Sequence, residues 1–146
     1  MTYLYRKAKS FDSKYCVKIL RDWAGETSWM PELDDLEPME KYWKGVFENE
    51  PTWIAEFNNK IIGFCVRNIG HENNIGALYV VPDSRGRGVG KHLLDLAKEG
   101  CDHITVWAYE ENTKARKFYQ RESCIEVLQE FDENVNLMDV EHHWKR

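Results

Sequence analysis

The stretch Val81-Pro82-Asp83-Ser84-Arg85-Gly86-Arg87-Gly88-Val89-Gly90-Lys91 limits the possible folds of this chain most tightly, because it joins a β-prone run to a helical stripe through alternating glycines. Upstream, residues from about Asn74 to Val81 read as a strand that Pro82-Asp83 stops. Downstream, Gly86 to Glu99 carries Val89, Leu93, Leu94 and Ala97 on one helical face, and His103 to Trp107 is a short β-branched strand. Strand, glycine turn, helix and strand in that order place the two strands side by side and parallel, with a right-handed crossover. Backbone N–H groups at the start of such a helix have no intrahelical partner and sit at the positive end of its dipole. Gly86, Gly88 and Gly90 remove the Cβ atoms that would hold a bulky anion away, and Arg85, Arg87 and Lys91 add positive charge. The ligand implied is a pyrophosphate; the plain alternative is a glycine-rich turn carrying solvated arginines.

Spacing narrows which pyrophosphate. A nucleotide-triphosphate loop needs four residues between its first glycine and Gly-Lys-Ser/Thr, but only three separate Gly86 from Gly90, and His92 stands where a magnesium-binding hydroxyl belongs. A dinucleotide fingerprint needs glycine at position 91, which is lysine, and follows the first strand of its fold instead of the fourth. Both readings are disfavoured.

The remainder supplies the rest of one α/β (α+β) domain, expected to span residues 1–146. Thr2 to Ala8 reads as a first strand, and Ser10 is placed to cap a helix whose stripe is Tyr15, Cys16, Ile19, Leu20 and Trp23 and which Gly25 ends. Glu26 to Glu40 holds six acids and no base and reads as a loop; Pro38 suits the first turn of a second helix bearing Tyr42, Trp43, Val46 and Phe47. Thr52–Phe57 and Lys60–Val66 flank Asn58-Asn59 as a hairpin. Asn112 to Arg121 is a further helix, with closing strands near Ile125–Phe131 and Leu137–Trp144.

Composition excludes some classes. A formal net charge of −5 argues against nucleic acid as a partner. No apolar run approaches a membrane span and no secretory leader is spelled, so the expected location is cytoplasmic, with no membrane partner. Four scattered cysteines form no C-x-x-C pair and are expected to be reduced and mostly buried. His142 and His143 should point to opposite faces of a strand, so no metal site is expected.

Arg85-x-x-Gly88-x-Gly90 after Leu78-Tyr79-Val80-Val81-Pro82 resembles the acetyl-coenzyme A signature of the GNAT superfamily of N-acetyltransferases, and Val106-Trp107 followed by Asn112-x-x-Ala115-x-x-Phe118-Tyr119 resembles its second motif. The resemblance implies a mixed, mostly antiparallel sheet of about seven strands with about four helices, the fourth and fifth strands being parallel and splayed. It implies acetyl-CoA as co-substrate, and direct transfer of its acetyl group to a primary amine of a small molecule or peptide. Leu78, Tyr79 and Val80 would offer backbone groups to the pantetheine arm. The amides of Gly86, Arg87, Gly88, Val89, Gly90 and Lys91 would hold the pyrophosphate, with Arg85 nearby, and the Asn112 side chain would address the arm or the acetyl region. Tyr119 matches the family's general acid, and a backbone N–H of the fourth strand, that of Val80, would receive the oxyanion. Seven residues apart, Asn112 and Tyr119 share a helix face at a separation of about 10 Å.

The general base stays open between Glu72, Glu56, His103 and a water relay. Ser123-Cys124 departs from the family's usual Gly-Phe, and serine suits a left-handed helix end less well. The segment from Trp23 to Phe47 would wall the acceptor site, where Trp23 or Trp29 could face a cation. The rival reading is a non-catalytic acyl-CoA-binding sensor or partner module. Monomer and homodimer are both open.

Overall fold

The computed structural model describes residues 2–70 and 72–146. His71, which the sequence sets at the head of the fourth strand's run, lies outside them. The elements run β1 (Leu4–Lys7), α1 (Ser13–Gly25), α2 (Leu36–Asn49), β2 (Thr52–Phe57), β3 (Lys60–Asn68), β4 (Asn74–Val80), α3 (Val89–Lys98), β5 (His103–Tyr109), α4 (Thr113–Arg121), β6 (Ile125–Asp132) and β7 (Leu137–Lys145). They form one seven-stranded sheet of order β1-β2-β3-β4-β5-β7-β6. Only β4 and β5 pair in parallel; every other neighbour is antiparallel. The mixed sheet and the four helices are those the sequence predicts.

Alternation along the strands explains the two-sided core. Trp53 and Ala55 of β2 join Val89, Leu93, Leu94 and Ala97 of α3 and Tyr119 of α4 on one face, while Ile54 between them turns to Cys16, Ile19 and Phe47 of α1 and α2 on the other. Asn58 and Asn59 both take positive φ, the geometry a two-residue hairpin turn needs. All four cysteines are buried free thiols. Among the described residues no helix is long and apolar enough to cross a membrane.

Local corrections concern ends. Ser10 does not cap α1: it opens a short 3-10 turn, Ser10–Asp12, and the helix starts at Ser13. The buried Asp12 governs this entry, accepting from the Lys9 amide at 2.8 Å and from both terminal nitrogens of Arg6. A local capping box between Lys9 and Asp12 opens the turn, and Arg6 on β1 holds the same carboxylate. β5 runs two residues past Trp107, and Asn112 is the cap of α4 rather than its first residue.

Candidate active site

The site begins at a defect in β4. Val66 pairs with Ala77 but Arg67 pairs with Ile75, so Gly76 is an extra residue in β4. A bulge of this kind bends its strand and strengthens the local twist. A Cβ at position 76 would stand 2.6 Å from Asn68 Nδ2, so the Asn68 side chain would have to move aside for any other residue. The parallel ladder to β5 covers only Asn74–Thr105 and Ile75–Val106 and stops at the bulge. Just before the split, Asn74 Nδ2 donates to Thr105 Oγ1 at 2.9 Å and clasps the two strands. Beyond it they diverge around a cavity of about 240 Å³, lined among others by Leu78, Tyr79, Trp107, Tyr109, Asn112 and Tyr119.

Backbone alternation decides which groups face that opening. The Val81 amide donates to Ile62 O at 2.9 Å, so Val81, Tyr79 and Ala77 direct their backbone groups at β3. Leu78 and Val80 therefore point the other way, into the slot that β5 has left. Of the three residues whose backbone the sequence offers to the ligand, Tyr79 is spoken for by Phe64 of β3 and brings its side chain to the cavity instead. The Val80 carbonyl is also occupied, accepting from Arg85 Nε at 2.7 Å, which leaves the Val80 amide.

The glycine loop carries the expected features. Gly86 and Gly88 have φ of 73° and 84°, the left-handed region where side chains are strained, and Gly88 is the residue before α3. The first regular helical bond is His92 N to Gly88 O at 3.0 Å, so the amides at the start of α3 have no intrahelical partner. Helix-start amides that follow two left-handed glycines make a ready cradle for a diphosphate. The cations are more engaged than the sequence implies. Arg85 also pairs with Glu26 at 2.7 Å, tying the loop to the end of α1, Arg87 Nε donates to Asp83 O at 3.2 Å, and Lys91 bridges Asp95 and Glu122.

On α4, Asn112 Oδ1 caps the helix by accepting from the Ala115 amide at 3.2 Å, so only its NH2 end remains for a ligand. Tyr119 lines the cavity from within the core, where burial, and after it the neighbouring Cys65, Tyr79 and Cys124, hold its phenol protonated well above the ordinary value. The helix ends with the Cys124 amide on Tyr119 O at 2.8 Å and the Ser123 amide on Gln120 O at 3.1 Å, a Schellman closure that forces Ser123 to a φ of 67°. Ser123 therefore occupies the left-handed position for which it is poorly suited.

None of the three side chains considered as base reaches the cavity. Glu72 sits before β4 in a turn where it and Asn73 both have positive φ; Glu56 is paired with Arg6 on β1; His103 meets His143 at 3.1 Å at the far end of β5. The carboxylate that does line the cavity is Asp139 of β7, directly across from Tyr109. Burial pushes it up to about 6, helped by Asp132 and Glu130 and opposed by the Val140 amide. Its signal in the sequence is an aspartate inside a strand, where that residue is depleted; the pairing that carries it to the site joins positions far apart.

Four rings stand in series beside the cavity, three of which, Trp23, Tyr79 and Tyr109, line it. Tyr79 lies 5.2 Å from Trp23, Trp23 lies 5.9 Å from Trp29, and Trp29 lies 6.1 Å from Tyr109, linking β4, the end of α1 and β5. A second cavity of about 360 Å³ adjoins, sharing Trp23 and Asn112 and adding Glu26, Trp29, Arg85 and Glu111. Among the described residues no cluster of three or more His, Cys, Asp or Glu side chains could hold a metal ion.

A sheet forced open beside one strand edge, with unpaired amides at a helix start next to the opening, belongs to coenzyme A-dependent acyltransferases. Residues 48–122 match the family model of the acetyltransferase (GNAT) domain, and the chain belongs to that family, whose members are acetyl-CoA-dependent N-acetyltransferases. It is 27% identical over 110 residues to the peptidyl-lysine N-acetyltransferase YiaC of Escherichia coli K12, covering 70% of this chain and 71% of that one. In fold it resembles a GNAT-family acetyltransferase of Bacillus cereus, with a TM-score of 0.80 at 18% identity over 100% of this chain and 99% of the other. It also resembles yncA of Salmonella typhimurium, solved with acetyl-CoA, with a TM-score of 0.75 at 16% identity over 99% and 94%.

Proposed function

We propose that the chain transfers the acetyl group of acetyl-CoA directly to a primary amine, and that the reaction takes place in the slot between β4 and β5. The observation that carries this is the bulge at Gly76, which frees the amides of Leu78 and Val80 beside a buried tyrosine. The pantetheine arm lies along that edge as a substitute strand, with the diphosphate on the Gly86–Lys91 amides and the Asn112 NH2 group beside the arm. The Val80 amide receives the oxyanion of the tetrahedral intermediate, a fixed dipole that needs no rearrangement as charge develops.

Tyr119 donates a hydrogen bond to the departing sulfur. Its raised pKa keeps the phenol a donor at every physiological pH, and also makes a lasting phenolate costly. Any proton lent to the thiolate is therefore restored from the amine nitrogen as the intermediate collapses. The acceptor is a primary amine of a small molecule or a peptide; the peptidyl-lysine activity of YiaC supports the peptide choice.

The test is thiol release from acetyl-CoA across a panel of amines, with calorimetric binding of acetyl-CoA in parallel. Tyr119→Phe is expected to lower kcat about 100-fold and to leave the acetyl-CoA Kd within about threefold. Absence of acetyl-CoA binding by the wild type refutes the proposal.

A further inference from the structure

We infer that Asp139 is the catalytic base of this enzyme, receiving the acceptor as an ammonium ion through the aromatic mouth and taking its proton before attack. The inference rests on the direct-transfer reading above and adds to it the side of entry, the charge of the acceptor and the residue that activates it.

The argument starts from which face each group occupies. Along β5 and β7, Ala108 pairs with Val140 and Val106 with His142, and Val106 and Ala108 pack with α3 and α4. Tyr109 with Asp139 and Trp107 with Glu141 alternate with them and so face the α1 side. Tyr119 rises into the slot from α4, and Asp139 looks into it from the opposite face of the sheet. Both groups line the one cavity, so the carboxylate can take a proton from the incoming amine while the phenol assists the departing sulfur.

The mouth on the Asp139 side is built for a cation. Trp23, Tyr79 and Tyr109 line the cavity with Asp139, and Asp139 is the sole carboxylate among the described residues that line it. Aromatic faces attract an ammonium ion while excluding water, and a single carboxylate among them fixes its position. The groups facing Asp139 come from every neighbouring element: Tyr109 on β5, Glu130 and Asp132 on β6, Tyr79 on β4, Trp23 on α1, Tyr119 on α4 and Glu141 along β7, itself held by His143 at 2.9 Å. Among the described residues that line the cavity none is a lysine, arginine or histidine. The arriving ammonium supplies the missing positive charge, and the surrounding negative charges and burial raise the carboxylate's basicity toward that of a neutral-pH base.

The protons balance. The Asp139 carboxylate takes one proton from R-NH3+; the nitrogen lone pair then forms the N–C bond at the thioester carbonyl. The C–S bond breaks with its electron pair on sulfur, which acquires a proton by way of Tyr119, and the phenol is restored by the second proton leaving nitrogen. Asp139 releases its proton to water once the amide departs. The sum is an ammonium and a thioester giving an amide, a thiol and one proton.

The test compares wild type, Asp139→Asn and Asp139→Glu on two probes: Nα-acetyl-lysine amide, and its analogue difluorinated on the carbon next to the aminomethylene group, a large share of which is uncharged near pH 7. Asp139→Asn is expected to lower kcat/KM for the lysine amide by 100-fold or more near pH 7, to abolish the wild-type inflection near pH 6, and to recover partly at alkaline pH. The fluorinated amine should lose less than about fivefold, Asp139→Glu should restore part of the rate, and acetyl-CoA affinity should be unchanged in both variants. Equal losses on the two probes, or an Asp139→Asn variant within about threefold of wild type on the lysine amide, overturn the inference. A wild type that acetylates only uncharged nucleophiles also overturns it. A wild type that fails to bind acetyl-CoA refutes the direct-transfer reading instead.

Discussion

Replacing Asp139 with asparagine should stabilise the fold while it slows the reaction, and the size of the gain follows from the protonation of one carboxyl. Asp139 has an ordinary value of 3.8 when the chain is unfolded and is raised to about 6 in the folded protein. Between those values the folded state holds more protons than the unfolded one, so stability falls as pH rises through that window and the loss is complete above about pH 7. The difference of about 2 pKa steps, at about 1.4 kcal/mol each, sets an upper limit of about 3 kcal/mol. The side chain is partly solvated, and screening by water reduces this to about 1–2 kcal/mol. Asparagine keeps an oxygen for the Val140 amide, which donates to Asp139 Oδ1 at 3.1 Å, and carries no charge at any pH. Urea unfolding of both proteins from about pH 4 to about pH 8 reads the effect directly: the variant's advantage should be small at the acid end and grow to its plateau through pH 6. An advantage that does not change with pH, or a variant less stable than wild type near pH 7, would refute the assigned environment of Asp139. A gain in stability with a loss of rate is the pattern of a charge held in place for function.

Two further substitutions probe backbone geometry. Ser123→Gly should raise stability by about 1 kcal/mol in urea unfolding, because the left-handed conformation at φ 67° strains a residue with a Cβ. Gly88→Ala should weaken acetyl-CoA binding about tenfold by calorimetry through the same strain at φ 84°. Gly90→Ala separates strain from access: its new methyl meets Phe118 at an ordinary 3.5 Å, so stability should hold while acetyl-CoA affinity falls.

What the sequence shows of this protein is what depends on neighbours in the chain. Val89, Leu93, Leu94 and Ala97 announce α3 by spacing, Asn58-Asn59 announces a turn because asparagine tolerates positive φ, and the glycines of 86–90 announce free amides by themselves. What stayed hidden depends on partners elsewhere. Asp12 joins a capping box with Lys9 and is also held by Arg6 of β1, a contact that the spacing of apolar residues does not show. Glu72 stands in the turn before β4, outside the cavity lining, and Tyr79 turns its backbone from the slot because of a register fixed by β3. Asp139 is the plainest case, since its proximity to Tyr119 exists only once β7 has inserted beside β5.

That insertion also explains why the chemistry sits where it does. A sheet that is continuous across β4 and β5 would satisfy its own amides and leave nothing for a ligand, while one that is fully split would lose the core that α3 and α4 cover. The chain resolves this with two parallel pairs and the Asn74–Thr105 clasp, then a bulge at Gly76. β5 beyond the split still needs a neighbour, and β7 supplies it along its whole length from His103 to Tyr109. The strand that repairs the sheet is therefore the one placed to face the gap, and its residue opposite Tyr109 is the carboxylate. The carboxylate and the slot arise from the same topological event, so a group on β7 can act on the acceptor without altering the glycine-loop side of the sheet.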